Sequence, residues 1–165
     1  MKIDFKRGFL IIIITFVILF LLESYAFASD LEDEHYVAYK YYAVLHRDIE
    51  ALRHIVNAES RGEGIYGMEL VVEIILNRVE SDKFPNTIYD VIYQENAFDG
   101  INYEAPITED SIVAINNVFE VGVQHNDIFF FQEKNLTHSW ADRNAVEKFT
   151  YNNHKFYALK ESRHE

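Results

Sequence analysis

Two stretches of helical apolar spacing meet at Arg61-Gly62-Glu63-Gly64, and that junction constrains the fold of this 165-residue chain more than any other feature. Ile49, Leu52, Ile55 and Val56 recur at three- and four-residue intervals, and Asp48 stands where an N-cap would, which predicts a helix over about 48–60. Gly62 and Gly64 interrupt the pattern. A second apolar run, over about 66–80, closes on Asn77-Arg78-Val79. The chain should therefore turn a sharp corner between two helices, with Glu59 in the last turn of the first and Glu63 in the bend. A carboxylate in a last turn faces the negative end of the helix macrodipole, which disfavours its charged form. Glu63 pushes the same way and Arg61 opposes it. A glutamate held partly protonated is what general-acid chemistry requires. The same spacing also describes two solvated acids beside a helix C-cap, and position alone leaves both readings open.

Downstream the pattern predicts a loop carrying Phe84-Pro85-Asn86, a short helix over about 87–94, and a loop through Pro106. Thr108 can cap another helix with Ile112, Ile115, Val118 and Phe119 on its inner face. Ile128 to Phe131 is rich in strand-forming residues. Lys148-Phe149-Thr150-Tyr151 and Lys155-Phe156-Tyr157 flank Asn152-Asn153 as a hairpin within Glu147 to Leu159. Helices first and a small sheet second is an α+β order. Within the second helix, Glu73 interrupts an apolar face, as either a solvent-edge residue or a buried acid with a partner. Asn77 and Arg78 are expected to satisfy backbone groups and to pair with acids beyond that helix.

The N-terminus points to export. Lys2, Lys6 and Arg7 precede an apolar run from Gly8 to Leu22, and Ala26-Phe27-Ala28 offers a small-residue cleavage site before Ser29. This is the layout of a secretory signal peptide. The run is shorter than the ~20 residues of a membrane span, although an uncleaved segment 8–28 would attach the protein to a membrane. The chain accordingly divides into a signal peptide (1–28), a polar-aromatic lead-in (29–47) and a working domain (48–160). The lead-in carries Tyr36, Tyr39, Tyr41 and Tyr42 and reads as either a helix running through Leu45 or a stalk.

Without residues 1–28 the chain keeps 12 Lys and Arg against 25 Asp and Glu. That balance, with no basic stripe, argues against a nucleic-acid partner. It also argues that binding to any anionic polymer would run through a groove rather than through bulk charge. The absence of cysteine excludes disulfides, thiol catalysis and thiolate-held metal, so stability must come from a core that thirteen Phe and eleven Tyr can supply. Seven histidines (35, 46, 54, 125, 138, 154 and 164) are scattered without H-E-x-x-H and read as surface residues, with no metal or other cofactor implied. No G-x-S-x-G elbow is present.

Several segments carry a resemblance: Ala58-Glu59-Ser60-Arg61-Gly62-Glu63, Ile75-Leu76-Asn77-Arg78-Val79, Phe84-Pro85-Asn86, Val91-Ile92-Tyr93-Gln94 with Ala97-Phe98, Phe129-Phe130-Phe131, and Asn153-His154-Lys155-Phe156-Tyr157. Together they resemble the spore-cortex-lytic enzyme and cell wall hydrolase family, of SleB and CwlJ type, over roughly Ile49 to Leu159. The match is specific in its first half and looser in its last third. Ser60 stands where alanine is usual, and Gly64-Ile65-Tyr66 replaces a segment that often reads Pro-Tyr-Glu. The roughly twenty residues after the leader leave no room for a separate wall-binding domain.

The resemblance implies a lysozyme-like helical core with a small antiparallel sheet, acting on peptidoglycan glycan strands in the periplasm, cell envelope or exterior. It implies a lytic transglycosylase in which Glu59 is the single catalytic acid and yields 1,6-anhydro-muramic ends. Glu63 and Arg61 would support it, Glu63 by fixing the loop or as a second carboxylate. Gln94 and Phe98 match family positions and suit a sugar, an amide for its edge and a ring for its face. Trp140 and Tyr103 are further groove candidates. The other outcomes kept open are hydrolysis as a muramidase or glucosaminidase, an N-acetylmuramoyl-L-alanine amidase, and a noncatalytic wall-binding module.

Overall fold

A computed structural model describes residues 5–98 and 105–160. Helix α1 (Phe5–Glu59) is followed by α2 (Gly64–Glu80), α3 (Ile88–Ile92) and α4 (Glu109–Val121). Strand β1 (Phe130–Glu133), the short helix α5 (Trp140–Asn144) and the hairpin β2 (Ala145–Tyr151) and β3 (His154–Leu159) complete the order. Two compact units divide the chain, Met1–Leu45 and His46–Glu165. In the first, the lead-in is helical, and Tyr36, Tyr39, Tyr41 and Tyr42 are exposed. Among the described residues no helix is long and apolar enough to cross a membrane.

The expected start at Asp48 is corrected. Asp48 lies inside α1, buried, with one carboxylate oxygen 3.1 Å from Arg47 Nη2. No glycine or proline stands between Ser29 and Arg47 to stop a helix, so a residue type that favours caps is carried within one. The corner itself forms as the glycines require. Ser60 N–H still donates to Val56 O, Glu63 N–H donates to Ser60 O, and Gly62 and Gly64 take φ of +89° and +72°. L-residues with a Cβ rarely adopt that conformation.

Helix α2 is the centre of the second unit. Met68, Val71, Val72 and Ile75 pack with Leu52, Ile55 and Val56 of α1, Val91 and Ile92 of α3, and Ala114, Ile115 and Val118 of α4. Leu70 and Ile74 face the sheet instead, against Ile128 and Phe156. Each fully buried aliphatic side chain of this kind contributes about 1.5–3 kcal/mol, so α2 couples the two halves of the core. Thr108 caps α4 as expected, in a reciprocal box with Ser111. Its inner face is rotated from the expectation: Ser111, Ala114, Ile115 and Val118 are buried, whereas Ile112 and Phe119 are exposed. Positions 111, 114, 115 and 118 lie on one helical stripe, and 112 and 119 sit one residue further around.

The sheet is antiparallel in the order β1-β3-β2, with Phe131 opposite Phe156 and a register shift between Glu147 and Phe149. Phe131, Phe149 and Phe156 stack on the face turned to α2, at 6.2 and 5.0 Å between ring centroids. Tyr157 and Phe130 lie on the other face with Ala141 and Ala145. The Asn152-Asn153 turn forms as read, with Asn152 at φ 45°. Helix α5 is absent from the sequence expectation, although Ser139 and Asp142 form its capping box. The fold is α+β.

Candidate active-site groove

One groove of about 910 Å³ runs between the helices and the sheet. The end of α1 supplies Glu59, and the end of α2 supplies Arg78. The turn after α3 brings Gln94 to Phe98, and Phe130 to Glu133 of β1, Trp140 of α5 and His154 of β3 form the facing wall. Helix α1 stops at Glu59 because Gly62 allows the chain to leave it there, and this leaves the carboxylate on the groove. Glu59 is half-buried, with one carboxylate oxygen shut off from solvent. Gln94 is exposed at the rim just beyond α3, and Ala97 N–H donates to its carbonyl. Phe98 is half-buried, 6.4 Å from the Phe131 ring. Glu59, Gln94, Phe98 and Trp140 therefore share one groove. Tyr103 lies outside the described residues.

Glu63 and Arg61 are elsewhere. Glu63 is buried at the corner, where its carboxylate accepts from Asn153 N–H (3.4 Å) and Asn153 Nδ2 (3.2 Å), and His154 Nδ1 lies 3.4 Å away. Its carbonyl accepts from Asn152 Nδ2 at 3.1 Å. Glu63 is thus tied to the β2–β3 turn. Arg61 is exposed and is not paired with Glu63. Gly67 makes this corner possible, because a Cβ there would stand 2.4 Å from Glu63 Cβ.

Asn77 and Arg78 bind backbone as expected. Asn77 Nδ2 donates to His125 O (2.7 Å) and Ile128 O (2.8 Å), and Arg78 Nε donates to Phe129 O at 2.8 Å. The acidic partner expected for Arg78 is corrected: its guanidinium lies instead 5.0 Å from the Phe98 ring centroid and 5.4 Å from those of Phe84 and Phe130. Burial lowers its pKa to about 10, which leaves it cationic at neutral pH. Three histidines expected at the surface are partly buried and partnered: His54 with Ala105 O, His125 with Glu73, and His154 with Glu63. Among the described residues no group of three His, Asp or Glu is placed to hold a metal ion.

The far wall is braced from behind. Gln132 Nε2 donates to Asp142 Oδ1 (3.0 Å) and to Tyr157 OH (2.7 Å), while Ser139 Oγ donates to Gln132 Oε1. Tyr157 OH in turn donates to Asp142 Oδ1 at 2.8 Å. The Ser139 backbone N–H, followed by the Tyr157 hydroxyl, holds the Asp142 carboxyl down at about 2. Burial, with Asp142 beside it, raises the Tyr157 phenol. The Ser-x-x-Asp spacing of this brace was visible in the sequence, but its tie to Gln132 and Tyr157 was not.

An α+β domain whose helix C-terminus delivers a glutamate into an aromatic-walled groove is the class of molecule these observations define. Residues 62–157 match the family described as Cell Wall Hydrolase, and the chain belongs to that family. A spore cortex-lytic enzyme of Bacillus cereus is 33% identical over 97 residues, covering 56% of this chain and 38% of that protein. That of Bacillus subtilis is 29% identical over 97 residues, covering 56% and 32%. The chain thus spans only about a third of the length of these relatives. The catalytic domain of Bacillus cereus SleB superposes with a TM-score of 0.61 at 25% identity, over 68% of this chain and 90% of that one. The catalytic domain of the germination-specific lytic transglycosylase SleB of Bacillus anthracis gives 0.59 at 29%, over 67% and 93%.

Proposed function

We propose that this protein is an exported enzyme that cuts the glycan strands of peptidoglycan as a lytic transglycosylase, with Glu59 as its single acid and base. The observation that supports this most is the Glu59 carboxylate on the wall of a strand-sized groove, with the Gln94 amide and the Phe98 ring along the same groove. Glu59 donates its proton to the bridging oxygen as the bond from the muramic C1 breaks. The resulting carboxylate takes the proton of the same sugar's 6-hydroxyl, whose oxygen closes on C1 to give the 1,6-anhydro ring without water. Aromatic rings suit sugar faces, and an amide suits their hydroxyl edges. A hydrolytic outcome would use a second carboxylate beside the scissile bond. Glu63 is committed to the Asn152-Asn153 turn, while Glu95 and Glu133 line the groove with Glu59, so the products themselves decide between the two outcomes. Export rests on the basic-apolar-small layout of residues 1–28. The relatives named for spore cortex lysis and the lytic transglycosylase of matching fold favour the same chemistry.

Mass spectrometry of purified peptidoglycan digested by this protein, beside its Glu59→Gln variant, tests the reading. Products ending in 1,6-anhydro-muramic acid, absent with the variant, are expected. Reducing-end sugars would mean hydrolysis, and freed peptides would mean an amidase.

A further inference from the structure

Arg78 is the one lining residue of the groove that carries a permanent positive charge among the described residues, against the carboxylates of Glu59, Glu95 and Glu133. Its residue is 5% exposed, so its guanidinium has lost most of its water. A buried cation normally recovers that loss through a carboxylate and a full set of hydrogen bonds. Here the Nε–H has the Phe129 carbonyl, and the Phe84, Phe98 and Phe130 rings surround the group. The terminal N–H groups have no acceptor among the described residues, and neither terminal nitrogen is sealed from solvent. A forked donor pair, fixed at one edge and open at the other to a groove, matches a carboxylate of an incoming ligand. The chain as a whole carries a net charge of −12, so any anionic strand approaching it needs such a local counter-charge.

We infer that Arg78 binds a carboxylate of the glycan strand, making it a specificity-determining residue of the groove. The inference rests on the glycan-cleaving reading above and adds to it the charge of the substrate. Two parts of peptidoglycan carry that chemistry: the lactyl group of muramic acid in strands stripped of peptide, and the free carboxylates of an attached stem peptide. Phe84, Phe98 and Phe130 then have two roles, gripping the guanidinium plane and excluding water from the ion pair.

The test is calorimetric binding to the full-length Glu59→Gln protein in mild detergent, which leaves the ligand uncut. The ligands are muramyl tetrasaccharides with free lactyl carboxylates, with those carboxylates capped as methyl amides, or with stem peptides whose own carboxylates are free. At least one of the two acidic ligands should bind about tenfold or more tightly than the capped one, as a charged hydrogen-bonded contact requires. Whichever acidic ligand prevails identifies the source of the carboxylate. Adding Arg78→Met should abolish that preference while leaving the capped strand's Kd within about twofold, a selectivity that a packing role alone would not produce. Equal binding of all three ligands with Arg78 intact overturns the inference alone, and this comparison needs no substitution at Arg78 that might unfold the protein. Failure of every strand to bind overturns the glycan reading and this inference with it.

Discussion

Helix α2 buries two opposite charges five positions apart, and the molecule treats them in opposite ways. On the α4 side, Glu73 accepts from Gln124 N–H at 2.8 Å, His125 N–H at 3.2 Å and His125 Nδ1 at 2.7 Å. His125 also lies edge-on to Tyr66, and the Glu73 carboxylate beneath it is almost wholly buried. On the groove side, Arg78 has one backbone acceptor, a set of rings, and donors left open. A buried charge whose bonds are complete anchors the fold, since removing any partner strands the rest. One whose bonds are incomplete is held ready for a ligand. The contrast separates two residues that look alike in sequence, each a charged side chain set in an apolar helix.

The largest expected effect belongs to the groove side. Glu59→Gln should lower turnover on peptidoglycan at least ~10²-fold, as loss of a general acid does, with the thermal unfolding midpoint little changed. Near-normal turnover would remove Glu59 from the chemistry. The complementary change is Glu73→Ala, which leaves the 124–125 backbone amides and the His125 ring without their shared acceptor. Urea denaturation should register a loss of about 3 kcal/mol, while activity per folded molecule stays near normal. A variant that kept its stability but lost activity would erase the distinction between the two sides of α2.

Much of the fold was legible because its signals are local. Gly62 and Gly64 fixed the corner, Thr108 the start of α4, and Asn152-Asn153 the hairpin. Asp48 misled because capping preference belongs to a side chain, whereas a helix start also needs a break in what precedes it. Helix α5 escaped because five residues are too few for apolar periodicity to register, despite its Ser139 cap. The groove could be read as a set of candidates, Glu59 with Gln94 and Phe98, but not as an enclosure. Arg78 reaches Phe129 across 51 positions, and no spacing rule joins Phe84, Phe98 and Phe130 around it. The same limit hid the hairpin's hold on Glu63.

Two smaller changes sharpen the picture at the corner and at the far wall. Gly67→Ala would gain helix propensity but drive a methyl into Glu63 Cβ. A net loss of about 1–3 kcal/mol is expected, measurable by thermal or urea unfolding, and a stabilised variant would show that the corner can give. The smallest effect concerns pH. Asp142 has a folded-state pKa depressed to about 2 by the Ser139 amide and then the Tyr157 hydroxyl, so its stabilising contribution is present above the unfolded carboxyl pKa. That contribution disappears as pH falls through about 2. Asp142→Asn should flatten the acid limb of the unfolding midpoint against pH below about 4, the ordinary range for an aspartate. An unchanged limb would place the acid sensitivity elsewhere.

The bond from Asn153 to Glu63 spans 90 positions, and the walls of the groove are drawn from Ala58 at one extreme to His154 at the other. Closing so long a loop costs the conformational entropy of the chain between its ends. Without the final hairpin, β1 has no strand paired behind its wall of the groove and the loop after α1 has no hold on its Glu63. A chain cut short before Asn152 would therefore lose both the strand that β1 pairs with and the hold on Glu63, however complete its helices.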